Sequence, residues 1–542
     1  MAAQISLPHT QCRREPDTQL GDLGQFRVGF YDCLIARADA LFELTEAVLC
    51  EQGPVHTLVE LCLAAQHRRG HGALYDGLNA GRVDIGRLRW QLAGLRLPRD
   101  RQGRIVLGVD VSNWLRPDAA TSRERLFCHT YGRGKGQAQM IPGWPYSFVA
   151  ALETGPSSWT QMLDVARLRP GEDETTVTAT QVRDVVRRLV EAGQWTSGDT
   201  DILVVFDAGY DVTRLAFLLV DLPVQLIGRL RSDRVLRLPK PPRAPRTNGR
   251  PRKHGGEFAL TDEASWPAPD VQTTDETTRY GTATVKAWDG LHPRLTRRGG
   301  WADHEGELPV IEGTLIRLSV DHLPGDRNPK PVWLWASALD LSAEQVDRAW
   351  RAFLRRFDIE HTFRMLKQTL GWTTPKIRNP DAADRWTWLI LAAYTQLSLA
   401  RDLTDHIRRP WEPRRPAGKL PTPAQVRRGY RTSTGNYPCR PVHQNPADPA
   451  QDDPRDTKTA NALDVTTSAN TPTQRHDGTI KRLTTSSGVA YSPYSVESPC
   501  KLRISIPLEL VRLYHERWEV EIAFLALRHT ILQGNVLRSG DE

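Results

Sequence analysis

Three carboxylates and two cations stand out by residue type and context. Asp110 closes the apolar run RIVLGVD, Asp207 closes DILVVFD, and Glu360 lies in WRAFLRRFDIEHTFRMLKQTLGW between Arg356 and Lys367. Three carboxylates brought within a few ångströms repel one another unless a divalent ion compensates, and hard oxygen ligands suit Mg²⁺ or Mn²⁺. Two such ions about 3.5–4 Å apart can activate a water or a 3′-hydroxyl and stabilise the leaving oxygen of an in-line phosphoryl displacement. Arg356 and Lys367 would then hold phosphates beside the metals. Taken alone, an Asp ending a strand is more often a turn or cap residue, and an Arg-Glu pair at i, i+4 is an ordinary feature of a solvated helix face. The combination is what points to chemistry.

The elements that must position these groups can be read from the flanking residues. Ser342 with Gln345 three residues on is a capping box, and neither Gly nor Pro follows until Gly371, so one helix is expected from Ser342 onward. At about 100° per residue, Phe353, Arg356, Glu360 and Lys367 share an arc of roughly 60°, and Ile359, Phe363, Leu366 and Leu370 fill the adjoining arc. RIVLGVDVSNW and DILVVFD are short continuous apolar runs, the pattern of buried strands whose ends carry Asp110 and Asp207. Strands are also expected at RLFCHTY and YSFVAALE, and helices at TQVRDVVRRLVEAGQW and after Asp207. Strand, hairpin, helix, strand is the opening of an RNase H-like α/β layer.

Around this core the chain divides by composition. Residues 1–24 read as a flexible N-terminus. Residues 25–100 carry helical periodicity and a cluster of His67, Arg68, Arg69, Arg82, Arg87 and Arg89. Two readings of that region stand: a helical DNA-binding domain contacting DNA through Arg68 and Arg69, or a helical cap with a solvated basic face. The core's first part is expected over 101–223 and its second over 341–405, with a β-rich insertion at 224–340 that includes VQLIGRLRSDRVLRL, ATVKAWDG, LIRLSVDHL and PVWLWASALDL. Within it, PKPPRAPRTNGRPRKHGGEF reads as a mobile loop. Residues 406–500 are polar and rich in Pro, Thr, Ser, Asn and Asp, which reads as a disordered linker, with 501–542 as a separate piece.

The 542 residues are 39% hydrophobic and 25% charged, and no apolar run approaches the roughly 20 residues needed to span a bilayer. A membrane protein is not expected. The N-terminus lacks the layout of a secretory signal, so a cytoplasmic location is the default. Seven scattered cysteines form no C-x-x-C pair, which argues against a zinc site or a disulfide scaffold. A formal net charge of +8 favours a polyanionic partner.

The helix resembles the Tyr-x2-Arg-x3-Glu-x6-Lys signature of DDE transposases of the insertion sequence four superfamily. Phe353 stands in place of the Tyr, while Arg356, Glu360 and Lys367 are intact. The two strand-end aspartates resemble that family's first and second Asp, the second within FDAGYD, and over residues 25 to 430 the look is closest to the insertion sequence seven-hundred-and-one type. The resemblance implies a catalytic and metal-binding set of Asp110, Asp207 and Glu360 with two Mg²⁺ or Mn²⁺ ions. It further implies cut-and-paste mobility, phosphate contacts from Arg356 and Lys367, and a dimer acting on terminal inverted repeats and target DNA. Phe353 lacks the hydroxyl that could reach a phosphate, although its ring remains available to DNA. Trp288 and Trp301 are the candidates in the insertion for stacking on a flipped base, weighed against a core role for each. A metal-dependent nuclease that cuts without joining, or an inactive DNA-binding relic, are the competing readings. Tyr514, Arg517, Glu521 and Arg528 repeat the spacing near the C-terminus. No pair of Asp-terminated strands precedes them, so they read as a fragment of a second transposase.

Overall fold

A computed structural model describes residues 21–434 apart from 71, 131–138, 154–156, 158, 244–251, 278–279, 323–328, 405–406, 408–411 and 413–419. The repeated motif at Tyr514 to Arg528 and most of the expected linker lie outside the described residues. The chain begins α1 (Gly21–Asp32), β1 (Leu34–Ala36), α2 (Ala38–Cys50), α3 (Leu58–Leu61), α4 (Ala73–Ala80), β2 (Arg82–Val83) and α5 (Ile85–Gly94). The central run is β3 (Val106–Leu115), β4 (Leu126–Thr130), β5 (Gln139–Leu152), β6 (Thr160–Arg167), α6 (Glu174–Glu191), β7 (Ile202–Phe206), α7 (Val212–Leu218) and β8 (Val224–Leu230). It continues through β9 (Val235–Arg237), β10 (Glu257–Ala259), β11 (Val271–Thr277), β12 (Gly281–Leu291), β13 (Gly313–Val320) and β14 (Val332–Ala336). Four helices finish it: α8 (Ala343–Arg355), α9 (Phe357–Gln368), α10 (Pro380–Leu399) and α11 (Pro423–Thr434).

One ten-stranded mixed sheet organises the molecule, in the order β11-β12-β13-β14-β8-β7-β3-β5-β4, with β6 also paired to β5. The β3/β7 and β7/β8 pairs are parallel and the rest antiparallel. All five residues of β7 are buried, as a strand covered on both faces requires. The order β6-β5-β3-β7-β8, with α6 and α7 as crossovers, is consistent with the expected RNase H-like layer. Long β5 carries β4 on its first residues and β6 on its last, so the expected strand YSFVAALE is only its second half. Strand β6 had no clear periodic signal, because Asp164 interrupts it. That carboxylate is buried between Arg89 on α5 and Arg188 on α6.

The β-rich segment is not set apart from the core. Trp333 pairs with Leu230 and Ala336 with Ile227, so β14 continues the ladder outward from β8 and β11–β14 extend the same sheet. An unpaired β8 edge would have left backbone donors and acceptors open, and β14 closes it. Among the described residues of this segment, only β9 and β10 form a ribbon of their own.

The N-terminal helices likewise share the core of the rest and do not form a separate module. Residues 40–50 of α2 are all buried, and Leu41, Leu44 and Val48 join one apolar cluster with Leu389, Ile390 and Tyr394 of α10. Two buried side chains of α11 fasten this layer. Arg427 donates to the carbonyls of Val48 and Gly53, and Tyr430 sits with Gln396 around the Arg27–Glu46 ion pair. No described helix is long and apolar enough to cross a membrane.

Candidate active site

The parallel ladder between β3 and β7 ends at Val109 and Phe206, and the next residue on each strand is the candidate aspartate. Asp110 is therefore not at the end of its strand, as the apolar run suggested. β3 runs on to Leu115 along β5, and only its pairing with β7 stops. Asp207 follows β7 directly, in a turn where Tyr210 N–H donates to its carbonyl and Asp211 caps α7 through Arg214 N–H. Both carboxylates thus sit just past the point where the parallel pairing of β3 with β7 stops, the edge at which open α/β sheets place ligands.

Arg356 joins them. The single helix expected from Ser342 is interrupted at this residue, although its Ser342–Gln345 capping box is present. Arg356 N–H donates to Phe353 O, and its own carbonyl accepts from Ile359 N–H, a tightened i to i+3 turn between α8 and α9. No Gly or Pro marks the break. Its side chain is buried and reaches the sheet, with Nη1 2.5 Å from Asp110 Oδ2 and Nη2 3.3 Å from Asp207 Oδ2. The Phe353 ring lies under the guanidinium, 6.0 Å from centroid to Cζ. Phe353 is buried, so its ring is packed against Arg356 and is not presented to DNA as expected. Burial pushes Asp110 up to about 7, which Arg356 opposes and the nearby charges of Glu360 and Asp207 reinforce.

Glu360 occupies the first turn of α9 on its exposed side. What brings this turn against the strand is Gly108, two residues before Asp110 and so on the same face of β3. A Cβ there would lie 2.5 Å from Ile359 Cδ1 and 3.3 Å from both Leu152 methyls, so only a glycine leaves room for Ile359. Further along, Thr362 Oγ1 meets Thr160 Oγ1 at 2.8 Å in the buried layer beside Tyr394. Arg355 donates to the carbonyls of Glu153 and Ser157. The Lys367 ammonium stands 5.6 Å from the Trp372 ring, and burial lowers its pKa against the pull of Glu360. Sequence reading missed Gly108, Thr160 and Thr362. The Gly of GVD was the one visible trace, since a glycine inside a buried strand marks a close approach.

Arg356, Lys367, Asp110, Asp207 and Glu360 are thus gathered around one end of the sheet. Among the described residues, however, no three His, Cys, Asp or Glu side chains stand together as a set that could hold a metal ion. Arg356 takes the space between the two aspartates. The donors nevertheless fit a hard divalent cation. All are carboxylate oxygens, and Asp207 Oδ1 is buried with no hydrogen-bond partner among the described residues.

The other candidates lie elsewhere. Arg69 is paired with Asp39 and Glu43, while the Arg68 side chain is exposed. Arg87 pairs with Asp32 and Arg89 with Asp164, so much of the N-terminal basic cluster is neutralised internally. Trp288 is buried among Phe258, Trp266 and Trp333, and its indole donates to Pro267 O. Trp301 is buried against Phe217 and His304. Neither indole is open to a base, and the core alternative describes both.

No curated protein matches the chain. Residues 29–294 match the family model described as DDE superfamily endonuclease. The matched range includes Asp110 and Asp207 and ends before Glu360. Over those residues, just under half of the chain, the protein is thus similar to the DDE superfamily endonucleases, a family of phosphoryl-transfer enzymes that act on DNA and generally use divalent metal ions.

Proposed function

We propose that the protein is a transposase of the insertion sequence four superfamily, closest to the insertion sequence seven-hundred-and-one type, which excises its element and joins the ends to target DNA. One observation carries this reading. Two aspartates just past the end of one parallel ladder share an arginine supplied from the joint just before Glu360, so the Asp, Asp, Glu and Arg of the motif belong to one neighbourhood. Asp110, Asp207 and Glu360 would hold Mg²⁺ or Mn²⁺, with two ions expected. Bound there, such ions supply Lewis-acid stabilisation of phosphate oxygens and a more acidic attacking hydroxyl or water.

The chain's own groups do the rest. β3 and β7 fix the two aspartates on a rigid sheet, and the Gly108–Ile359 contact sets the distance at which α9 presents Glu360. Lys367 offers a partly desolvated ammonium to a phosphate, and the planar fork of Arg356 suits two phosphate oxygens once it leaves the carboxylates. Terminal inverted repeats and target DNA are the partners, bound by a dimer, with exposed Arg68 among the backbone contacts.

The test is cleavage and joining with the full-length protein, Mg²⁺, and DNA carrying the sequences that flank its gene. Asp110→Asn, Asp207→Asn and Glu360→Gln should each abolish cutting while end binding survives. Retained cutting in any of the three sinks the assignment. Cutting without joining of the 3′-hydroxyl would instead make the protein a nuclease of the same fold.

A further inference from the structure

Arg356 poses a problem of charge and geometry that its assigned role beside phosphate leaves open. Its guanidinium stands where an ion shared by Asp110 and Asp207 would have to stand, 2.5 Å from one carboxylate and 3.3 Å from the other. The pose satisfies neither partner fully. Arg356 Nε is buried without a hydrogen-bond partner among the described residues, and so is Asp207 Oδ1. A buried donor and a buried acceptor left open each cost free energy, so this pairing is a second-best arrangement for both groups. The guanidinium therefore separates two neighbouring carboxylates that would otherwise face one another directly.

We propose that Arg356 is a placeholder cation: in the metal-free protein it holds Asp110 and Asp207 in register, and a divalent ion must evict it before the site is complete. The proposal rests on the metal site assigned above. Its position at the joint of α8 and α9, where the chain makes a tight turn and not a continuous helix, places the arginine close enough to span both strands. The Phe353 ring beneath the guanidinium gives the cation an apolar and π-bearing seat. Eviction delivers the fork to the same edge as Lys367, so ion loading and readiness for phosphate become one event. Arg356 acts here as a positioning residue, and its competition with the ion makes the free enzyme a weak metal binder.

Titration of Mn²⁺ alone into the full-length protein, followed by calorimetry and by the electron paramagnetic resonance signal of free Mn²⁺, tests this without DNA or turnover. Arg356→Gln should bind Mn²⁺ about tenfold or more tightly than wild type, because the competing charge-assisted contacts are gone. It should also gain more thermal stability from Mn²⁺ than wild type does. Arg356→Lys keeps one charge but cannot fork to both carboxylates, and should fall between. That variant decides the matter should Arg356→Gln not fold, with wild-type affinity counting against the proposal. If Arg356→Gln binds no tighter than wild type while Asp207→Asn abolishes binding, the placeholder is refuted and the metal site stands. If Asp207→Asn binds Mn²⁺ as wild type does, the metal site itself is wrong and the placeholder falls with it.

Discussion

Gly108→Ala should damage this site through a single methyl group. The new Cβ would sit 2.5 Å from Ile359 Cδ1, whereas carbon atoms rest about 3.5–4.0 Å apart, so roughly 1–1.5 Å must be found. Leu152 cannot supply it, since both its methyls are already within 3.3 Å of the same point and the residue is buried. Ile359 is fully buried, so part of the displacement is transmitted to the backbone of α9. Overpacking of this kind costs about 1–3 kcal/mol, and a shift near 1 Å in a positioned group can lower a rate about 10²-fold. Activity should therefore fall further than stability. Ile359→Val deletes the one clashing atom. By itself it should cost about 0.5–1.5 kcal/mol, but combined with Gly108→Ala it should restore part of both stability and cutting. Urea unfolding of the four proteins gives the coupling energy, expected at about 1 kcal/mol or more in favour of the double variant. Additive effects, or a Gly108→Ala protein with wild-type stability and cutting, would refute the reasoning.

Trp288→Ala should lower stability by about 3–5 kcal/mol by opening the Phe258–Trp266–Trp333 cluster, read as a shifted urea midpoint; an unchanged midpoint would return Trp288 to the surface. Asp164→Asn leaves Arg89 and Arg188 facing one another without their shared carboxylate, and should cost about 3–5 kcal/mol by the same measurement. Ending the chain at residue 440 should preserve thermal stability, whereas ending it at 420 removes Val426, Arg427 and Tyr430 from the core and should yield a protein that melts far lower or does not fold. Equal melting of the two truncations would show that α11 is dispensable.

The parts of the site that local chemistry dictates were visible in the residues. Buried strands next to Asp110 and Asp207 announce themselves as apolar runs, and Ser342 with Gln345 marks the start of α8 because a cap is made within four residues. The break at Arg356 left no such trace, and the ion pair that accompanies it is to Asp110, 246 positions away. The continuity of β14 with β8 was hidden for the same reason: strand pairing across a hundred residues leaves no local period. Tryptophans 288, 301 and 333 read alike as residues, and only packing separates a core indole from one that could meet a base.

The burial of α2 against α10 has a consequence for how the chain is made. About 340 residues separate the two helices. At some 5–20 residues per second, the ribosome releases α2 roughly 20 to 70 s before its partner exists. Through that interval α2 has its near neighbours, with Leu41 lying against Gly77 and Gly81, but the side it turns to α10 stays uncovered while the sheet between is still being threaded. That side of α2 is thus the part of the N-terminal layer open longest to non-native association, and slower synthesis lengthens the exposure.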